Sequence, residues 1–250
     1  MSTAKDLFST QAADYAKFRP TYPQSLFTYI TNLCSQRAAA WDCATGNGQS
    51  AFELAKFFQF VFATDLSQKQ IAQAKRHPQI RYSQGRAEQS GLPPGSVDLI
   101  TVAQAFHWFD QPLFFREARR VMRPQGGILA VWYYDEFKTD PEIKKVTRAF
   151  SEKVVGGFGE KELKNVGDNY RNMKIPFQEI VPPKFEIKAT WTVDQLKGYL
   201  FTWSATQTML RKTGKNPVEE FSPAIDAAWG DPTASREVSW SIILRVGRLN

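Results

Sequence analysis

The chain is poor in the residues from which covalent and metal-based frameworks are built. Its 250 residues include two cysteines, Cys34 and Cys43, and two histidines, His77 and His107. Two thiols make no disulfide framework, and two imidazoles exclude a multi-histidine metal centre, so no metal is expected. Cys43 falls inside an apolar run, where a small buried thiol is its natural role. No stretch approaches the ~20 apolar residues that span a bilayer. Residues 1–13 lack the continuous apolar core of a secretory signal. A soluble, cytoplasmic protein without membrane partners is the expectation.

What is present is ordinary for a globular protein: 42% hydrophobic and 23% charged residues. The net charge is +7, and most of the excess sits in the first 134 residues. Arg116, Arg119, Arg120 and Arg123 follow an i, i+3, i+4, i+7 spacing that puts them on one helical face. Such a stripe is either a solvated face, the simpler reading, or a contact with nucleic acid or another anion.

Strand-like and helix-like segments alternate through the first half. Residues 38–43, 60–64, 80–83, 97–103 and 128–132 read as five buried strands. Helical runs fall at 49–58, at 67–76 with Ser67 as the cap, and at 112–122 with proline in the first turn. Residues 135–184 are polar and helix-leaning, with Gly156, Gly157, Gly159 and Pro182-Pro183 as punctuation. Strand 185–191, helix 193–203 and strand 238–246 follow. Alternating β and α units predict an α/β, Rossmann-like, doubly wound fold. Its mostly parallel seven-stranded sheet carries helices on both faces and a helical insertion after the fifth strand. A single domain is expected. Residues 1–35 would close over a ligand, 36–134 form the binding core, 135–184 the insertion, and 185–250 complete the sheet.

Trp41-Asp-Cys-Ala-Thr-Gly-Asn-Gly-Gln-Ser50 places Gly46 and Gly48 between the first strand and first helix. Glycine there lets the backbone turn sharply and approach a ligand. Gly46-x-Gly48-x-x-Ala51 alone satisfies a relaxed dinucleotide fingerprint. Asp42, four residues before Gly46, opposes that reading because its carboxylate would repel a pyrophosphate. S-adenosylmethionine (SAM) has no phosphate and carries an ammonium and a sulfonium, which the same charge favours. Asp65 ends the second strand, where a carboxylate accepts hydrogen bonds from ribose hydroxyls.

These residues resemble the class I SAM-dependent methyltransferases across about residues 30–135, judged by motifs in a doubly wound setting. Four stretches resemble the trans-aconitate methyltransferase-like and embryo-abundant-type subgroup. They are Tyr15-Ala-Lys-Phe-Arg-Pro-Thr-Tyr-Pro23, Ala103-Gln-Ala-Phe-His-Trp-Phe109, Leu200-Phe-Thr-Trp-Ser204 and the strand around Trp240. The resemblance implies that Asp42, Gly46 and Gly48 line the methionine part of SAM and that Asp65 holds the ribose. It implies Leu66 beside the adenine, Ala87 and Glu88 near the adenine amino group, and Gln104 beneath the cofactor. Tyr15 and Arg19 would close over the site, the arginine pairing with the SAM carboxylate. Two positions depart from the family: Ala44 stands where glycine is usual and Arg86 where an acid is usual. Alanine is a mild change if its φ stays negative, whereas Arg86 puts a guanidinium near the expected adenine pocket.

His107 is the candidate base for an acceptor that must lose a proton, and pocket lining is its alternative role. Trp108, Tyr133 and Trp203 are candidates for an aromatic acceptor pocket, with core packing as the plain alternative; Trp132 and Tyr134 fall in the same class. No Asn/Asp-Pro-Pro-aromatic motif follows the fourth strand, which lowers a nucleic-acid substrate. Three readings remain open. A small-molecule methyltransferase, acting on a carboxylate or hydroxyl by subgroup resemblance, leads a non-catalytic binding protein and an NAD-dependent dehydrogenase.

Overall fold

The five apolar runs of the first half become parallel strands in a computed structural model that describes residues 17–135, 137–159 and 166–250. They are β1 (Ala39–Cys43), β2 (Phe60–Asp65), β3 (Ile80–Gln84), β4 (Leu99–Ala103) and β5 (Ile128–Tyr134), in the order β3-β2-β1-β4-β5. β1 is buried at every position because helices cover both faces of the sheet. α1 (Gln24–Asn32) and α2 (Gln49–Leu54) cover one face through Leu26, Phe27, Ile30, Ala51 and Leu54. α3 (Gln68–Ala72) starts at Ser67, whose hydroxyl accepts from the Gln70 N–H as the sequence predicts. That cap contributes about 1 kcal/mol. α4 (Gln111–Val121) covers the opposite face through Phe114, Ala118 and Val121.

After β5 come α5 (Pro141–Ala149), α6 (Val166–Arg171), the short β6 (Gln178–Ile180) and β7 (Phe185–Trp191). Then α7 (Val193–Phe201), α8 (Ser204–Thr213) and α9 (Pro217–Trp229) lead into the long β8 (Arg236–Arg248). β8 runs antiparallel to β5, and its far side is filled by β7 along one half and β6 along the other. Among the described residues the sheet therefore has eight strands rather than the expected seven. Pro182-Pro183 offer no N–H to a ladder and divide the outer strand into two.

Three further expectations change. The expected C-terminal helix is three helices. α9 carries Pro223 inside it, a residue that argues against helix in any local reading. Residues 73–76 and 55–58, expected in helices, lie beyond α3 and α2. The arginine stripe is also dispersed. Arg123 falls outside α4 and its Nε donates to buried Asp98 at 2.6 Å, while Arg120 pairs with Glu117. Arg119 donates to the Pro176 carbonyl, leaving a weak case for an anion-binding face. Asp98 also accepts the Ala38 and Ala39 N–H groups, fastening the start of β1 at the end of the sheet away from the glycine turn.

Candidate cofactor and acceptor site

Adjacent parallel strands deliver two carboxylates to one edge of the sheet. Asp42 is the fourth residue of β1 and Asp65 the last of β2. β1 lies between β2 and β4, so the chain departs to opposite sides there, and the carboxyl ends of such strands form a crevice.

Asp42 is buried. The Thr45 and Thr101 hydroxyls donate to its two oxygens at 2.5 and 2.7 Å. Burial pushes its carboxyl up to about 6, against the opposing pull of the two hydroxyls. Thr101 is the polar residue in an otherwise apolar strand, and that interruption was a legible signal which residue-type reasoning passed over. Asp65 accepts the N–H of Gly46 and that of Ser67, each at 2.8 Å. One carboxylate thus fastens the glycine turn to the turn after β2.

The turn itself is left-handed at three places: Ala44 at φ 56°, Gly46 at 57° and Gly48 at 81°. A Cβ on Gly46 would meet open space, whereas one on Gly48 would strike the Tyr82 hydroxyl. Gly46 therefore faces the crevice, and Gly48 is required by its neighbour as well as by its dihedral. The positive φ of Ala44 corrects the expectation of a mild departure, since a left-handed alanine costs about 1–2 kcal/mol. Ala44→Gly is expected to raise the unfolding free energy by about 0.5–1 kcal/mol after the entropy of a more flexible unfolded chain is counted. Chemical denaturation of the two proteins measures it.

Gln104 follows β4 directly, at φ 57°, with its N–H donating to the Trp132 carbonyl. Its side-chain Nε2 is buried without a hydrogen-bond partner among the described residues. Leu66, beside Asp65, is 45% exposed, unusual for leucine next to a crevice carboxylate. An open approach at Gly46, an orphaned buried amide and a bare apolar side chain fit a ligand with polar and flat apolar parts. Ala87 is buried nearby in the chain, and Glu88 accepts the Asp110 N–H. Arg86 pairs with Glu88 at 3.4 Å with its side chain half exposed, so its charge is met by a carboxylate.

Arg19 also lies at the carboxyl edge, beside Tyr134 at the end of β5. Its two Nη atoms donate to the Tyr134 hydroxyl and the Thr202 carbonyl, and its guanidinium sits 5.2 Å from the Tyr199 ring. Tyr15 lies outside the described residues.

His107 sits in a single 3₁₀ turn, Phe106–Trp108, between β4 and α4. Burial lowers its imidazole to about 4, which leaves the ring neutral at physiological pH and a weak base. Trp108 and Tyr133 lie beside it, at ring separations of 4.8 and 6.3 Å. Trp203 is not in this group. It packs on Tyr199 and Phe150 with the cluster on the other face of the sheet. A neighbour with no legible signal, Tyr170 of α6, lies 3.3 Å from His107 Nδ1 through its hydroxyl.

Comparison with known proteins fits this architecture. Residues 41–130 match the family model described as a methyltransferase domain. A Dictyostelium discoideum protein, provisionally assigned as a methyltransferase, is 31% identical over 90% of this chain and 86% of its own. A Saccharomyces cerevisiae protein, provisionally assigned as SAM-dependent, is 24% identical over 83% of each chain. A solved structure from Anaeromyxobacter dehalogenans, provisionally assigned as a type II methyltransferase, is 41% identical with a TM-score of 0.83. The match covers 93% of this chain and 98% of that one. No helix among the described residues is long and apolar enough to cross a membrane, and none of their acidic, histidine or cysteine side chains cluster to hold a metal. With its sheet order, its crevice and these relatives, the chain belongs to the class I SAM-dependent methyltransferases.

Proposed function

We propose that the enzyme methylates an oxygen of a small molecule, a carboxylate in the first instance, and belongs to the trans-aconitate methyltransferase-like and embryo-abundant-type subgroup. The observation that carries the choice of acceptor is the enclosure of His107 by Trp108, Tyr133 and Tyr170, which favours its neutral form. An imidazole lowered to about 4 takes a proton poorly, so an acceptor already ionised suits the site better than an alcohol.

SAM, when bound, supplies a methyl group on a sulfonium that leaves as a neutral thioether. The residues that would hold it are Asp42 and Gly46 at the methionine part, with Gly48 shaping the turn. Asp65 would take the ribose, Leu66, Ala87 and Glu88 the adenine, and Gln104 the underside. Arg19, braced by Tyr134 and Thr202, is the cation we assign to the cofactor's carboxylate. Asp42 carries negative charge toward a cationic ligand, which argues against NAD. Trp108 and Tyr133 would exclude water from the acceptor, so that most of the rate comes from alignment. Trp203 belongs to the wall on the other face of the sheet.

Calorimetric titration with S-adenosylhomocysteine, with NAD as control, tests the cofactor half. Micromolar binding of the first alone is the expected result. A folded sample that binds neither would overturn it and favour a non-catalytic binding protein. Turnover of small carboxylic acids against matched alcohols tests the acceptor half, and preference for the alcohols would overturn the carboxylate assignment.

A further inference from the structure

The insertion after β5 contributes a buried tyrosine to the turn that carries His107. Tyr170 is 1% exposed and rings of Phe106, His107 and Tyr133 surround it. Its helix is held to the sheet from two sides. Arg171 forms an ion pair with Asp135 at the end of β5, and Arg245 of β8 donates to the Tyr170 carbonyl.

The hydrogen-bond pattern around Tyr170 determines which proton goes where. Its hydroxyl oxygen accepts the Phe106 backbone N–H at 2.9 Å. With the Phe106 N–H already accepted, the hydroxyl has its own proton to give, and His107 Nδ1 lies 3.3 Å away. An Nδ1 that accepts requires the proton of a neutral imidazole to be on Nε2. The ring therefore presents a donor at its far end.

His107 also lines a cavity of about 480 Å³ between its own turn and the insertion. Gln111, Asn169, Tyr170, Asn172 and Lys174 supply its other polar side chains, and no carboxylate lines it. Three amides, an ammonium and an imidazole N–H make a lining that favours an anion.

We propose that Tyr170 is a positioning residue that fixes His107 in its Nε2–H form, and that His107 uses that N–H to hold an anionic oxygen of the acceptor in this cavity. The inference rests on the carboxylate-methylating reading above and adds the groups that would orient the acceptor. A carboxylate arrives ionised, so one oxygen can be oriented by the donor while the other reacts, and no base is needed.

The test exploits the scarcity of histidine. Long-range proton–nitrogen spectra of protein labelled at histidine nitrogen contain two imidazoles, His77 and His107, and His77→Gln assigns them. His107 is expected as the neutral Nε2–H tautomer in the wild type. In Tyr170→Phe it is expected to shift toward a tautomer mixture while S-adenosylhomocysteine affinity stays unchanged. An Nδ1–H tautomer in the wild type, or an unaltered His107 spectrum in Tyr170→Phe, overturns the positioning role. With S-adenosylhomocysteine present, added succinate is expected to move the His107 Nε2 resonance and succinamide to leave it in place. Equal responses, or none, overturn the anion assignment. In turnover of a carboxylate acceptor, His107→Gln, which keeps a donor, is expected to retain more activity than His107→Leu. The loss in the leucine variant is expected near tenfold, as for one hydrogen bond, and equal losses in both overturn the donor role. Absence of S-adenosylhomocysteine binding would fall on the cofactor assignment alone, since the tautomer is read without it.

Discussion

Asp65→Ala is expected to weaken S-adenosylhomocysteine binding by about 10³-fold while the protein still folds. Two losses combine. The carboxylate would accept from the ribose hydroxyls, and each hydrogen bond to a charged group is worth about 1.5–3 kcal/mol. It also fixes the backbone on which the rest of the site depends, through the Gly46 and Ser67 N–H groups at 2.8 Å. Without it the glycine turn and the turn after β2 are no longer tied, so a ligand must order them on binding. Both N–H groups are part-buried and can turn to water, so the cost to stability is expected to stay near 1–2 kcal/mol.

Asp65→Asn sharpens the argument. One amide oxygen can keep one of the two backbone donors, but the amide NH₂ then faces the other, donor against donor. The variant is expected to lose about 10²-fold despite its near-identical shape. Calorimetry and the ligand-induced rise in melting temperature measure both variants. A tenfold or smaller loss in Asp65→Ala would show that the ligand lies elsewhere on the sheet edge.

How far such a site can be read from sequence depends on how local its causes are. Asp65 was legible because a strand, an acidic residue at its end and the Ser67 cap follow one another along the chain. Gly46 and Gly48 were legible for the same reason. The meaning of Ala44 was not, because its left-handed φ is imposed by the shape of the whole turn. Arg86 looked like an intruder in a pocket, and its partner two residues on, Glu88, takes it up instead. Trp203 and Tyr133 seemed equivalent aromatic candidates. Only the packing of helices against opposite faces of the sheet separates them. Tyr170 comes from a polar stretch with no periodicity, 63 positions from the histidine it touches, and nothing local announces it. The arginine stripe was a correct spacing on a helix that ends two residues too soon, because Asp98 draws Arg123 to the sheet.

Asp42→Asn is expected to strengthen the unliganded fold and weaken the enzyme together. Burial raises the Asp42 carboxyl from the 3.8 of an unfolded chain to about 6. A raised acid is most favourable to folding below pH 3.8, where both states are protonated. Its contribution falls as pH rises through 6, where the native state must hold a buried charge. At pH 8 that cost is on the order of 2–3 kcal/mol, taking 1.36 kcal/mol per unit. Asparagine carries no charge, and the Thr45 and Thr101 hydroxyls can reorient, one donating to its oxygen and one accepting from its NH₂. The variant is expected to exceed the wild type by about 1–3 kcal/mol at pH 8 and to match it near pH 4, by urea denaturation at both pH values. Binding should respond in the opposite sense. The ligand's ammonium needs the ionised carboxylate, so wild-type affinity for S-adenosylhomocysteine is expected to fall by up to about tenfold per pH unit below 6. The asparagine variant should start about 10²-fold weaker at pH 8 and show no such fall. A gain in stability with full affinity would mean that the buried charge serves the turn and not the ligand. A loss of both would mean that the hydroxyls cannot reorient. The expected pairing, a less stable fold kept in exchange for a charge aimed at a cation, is what separates this crevice from a dinucleotide site built on the same glycines.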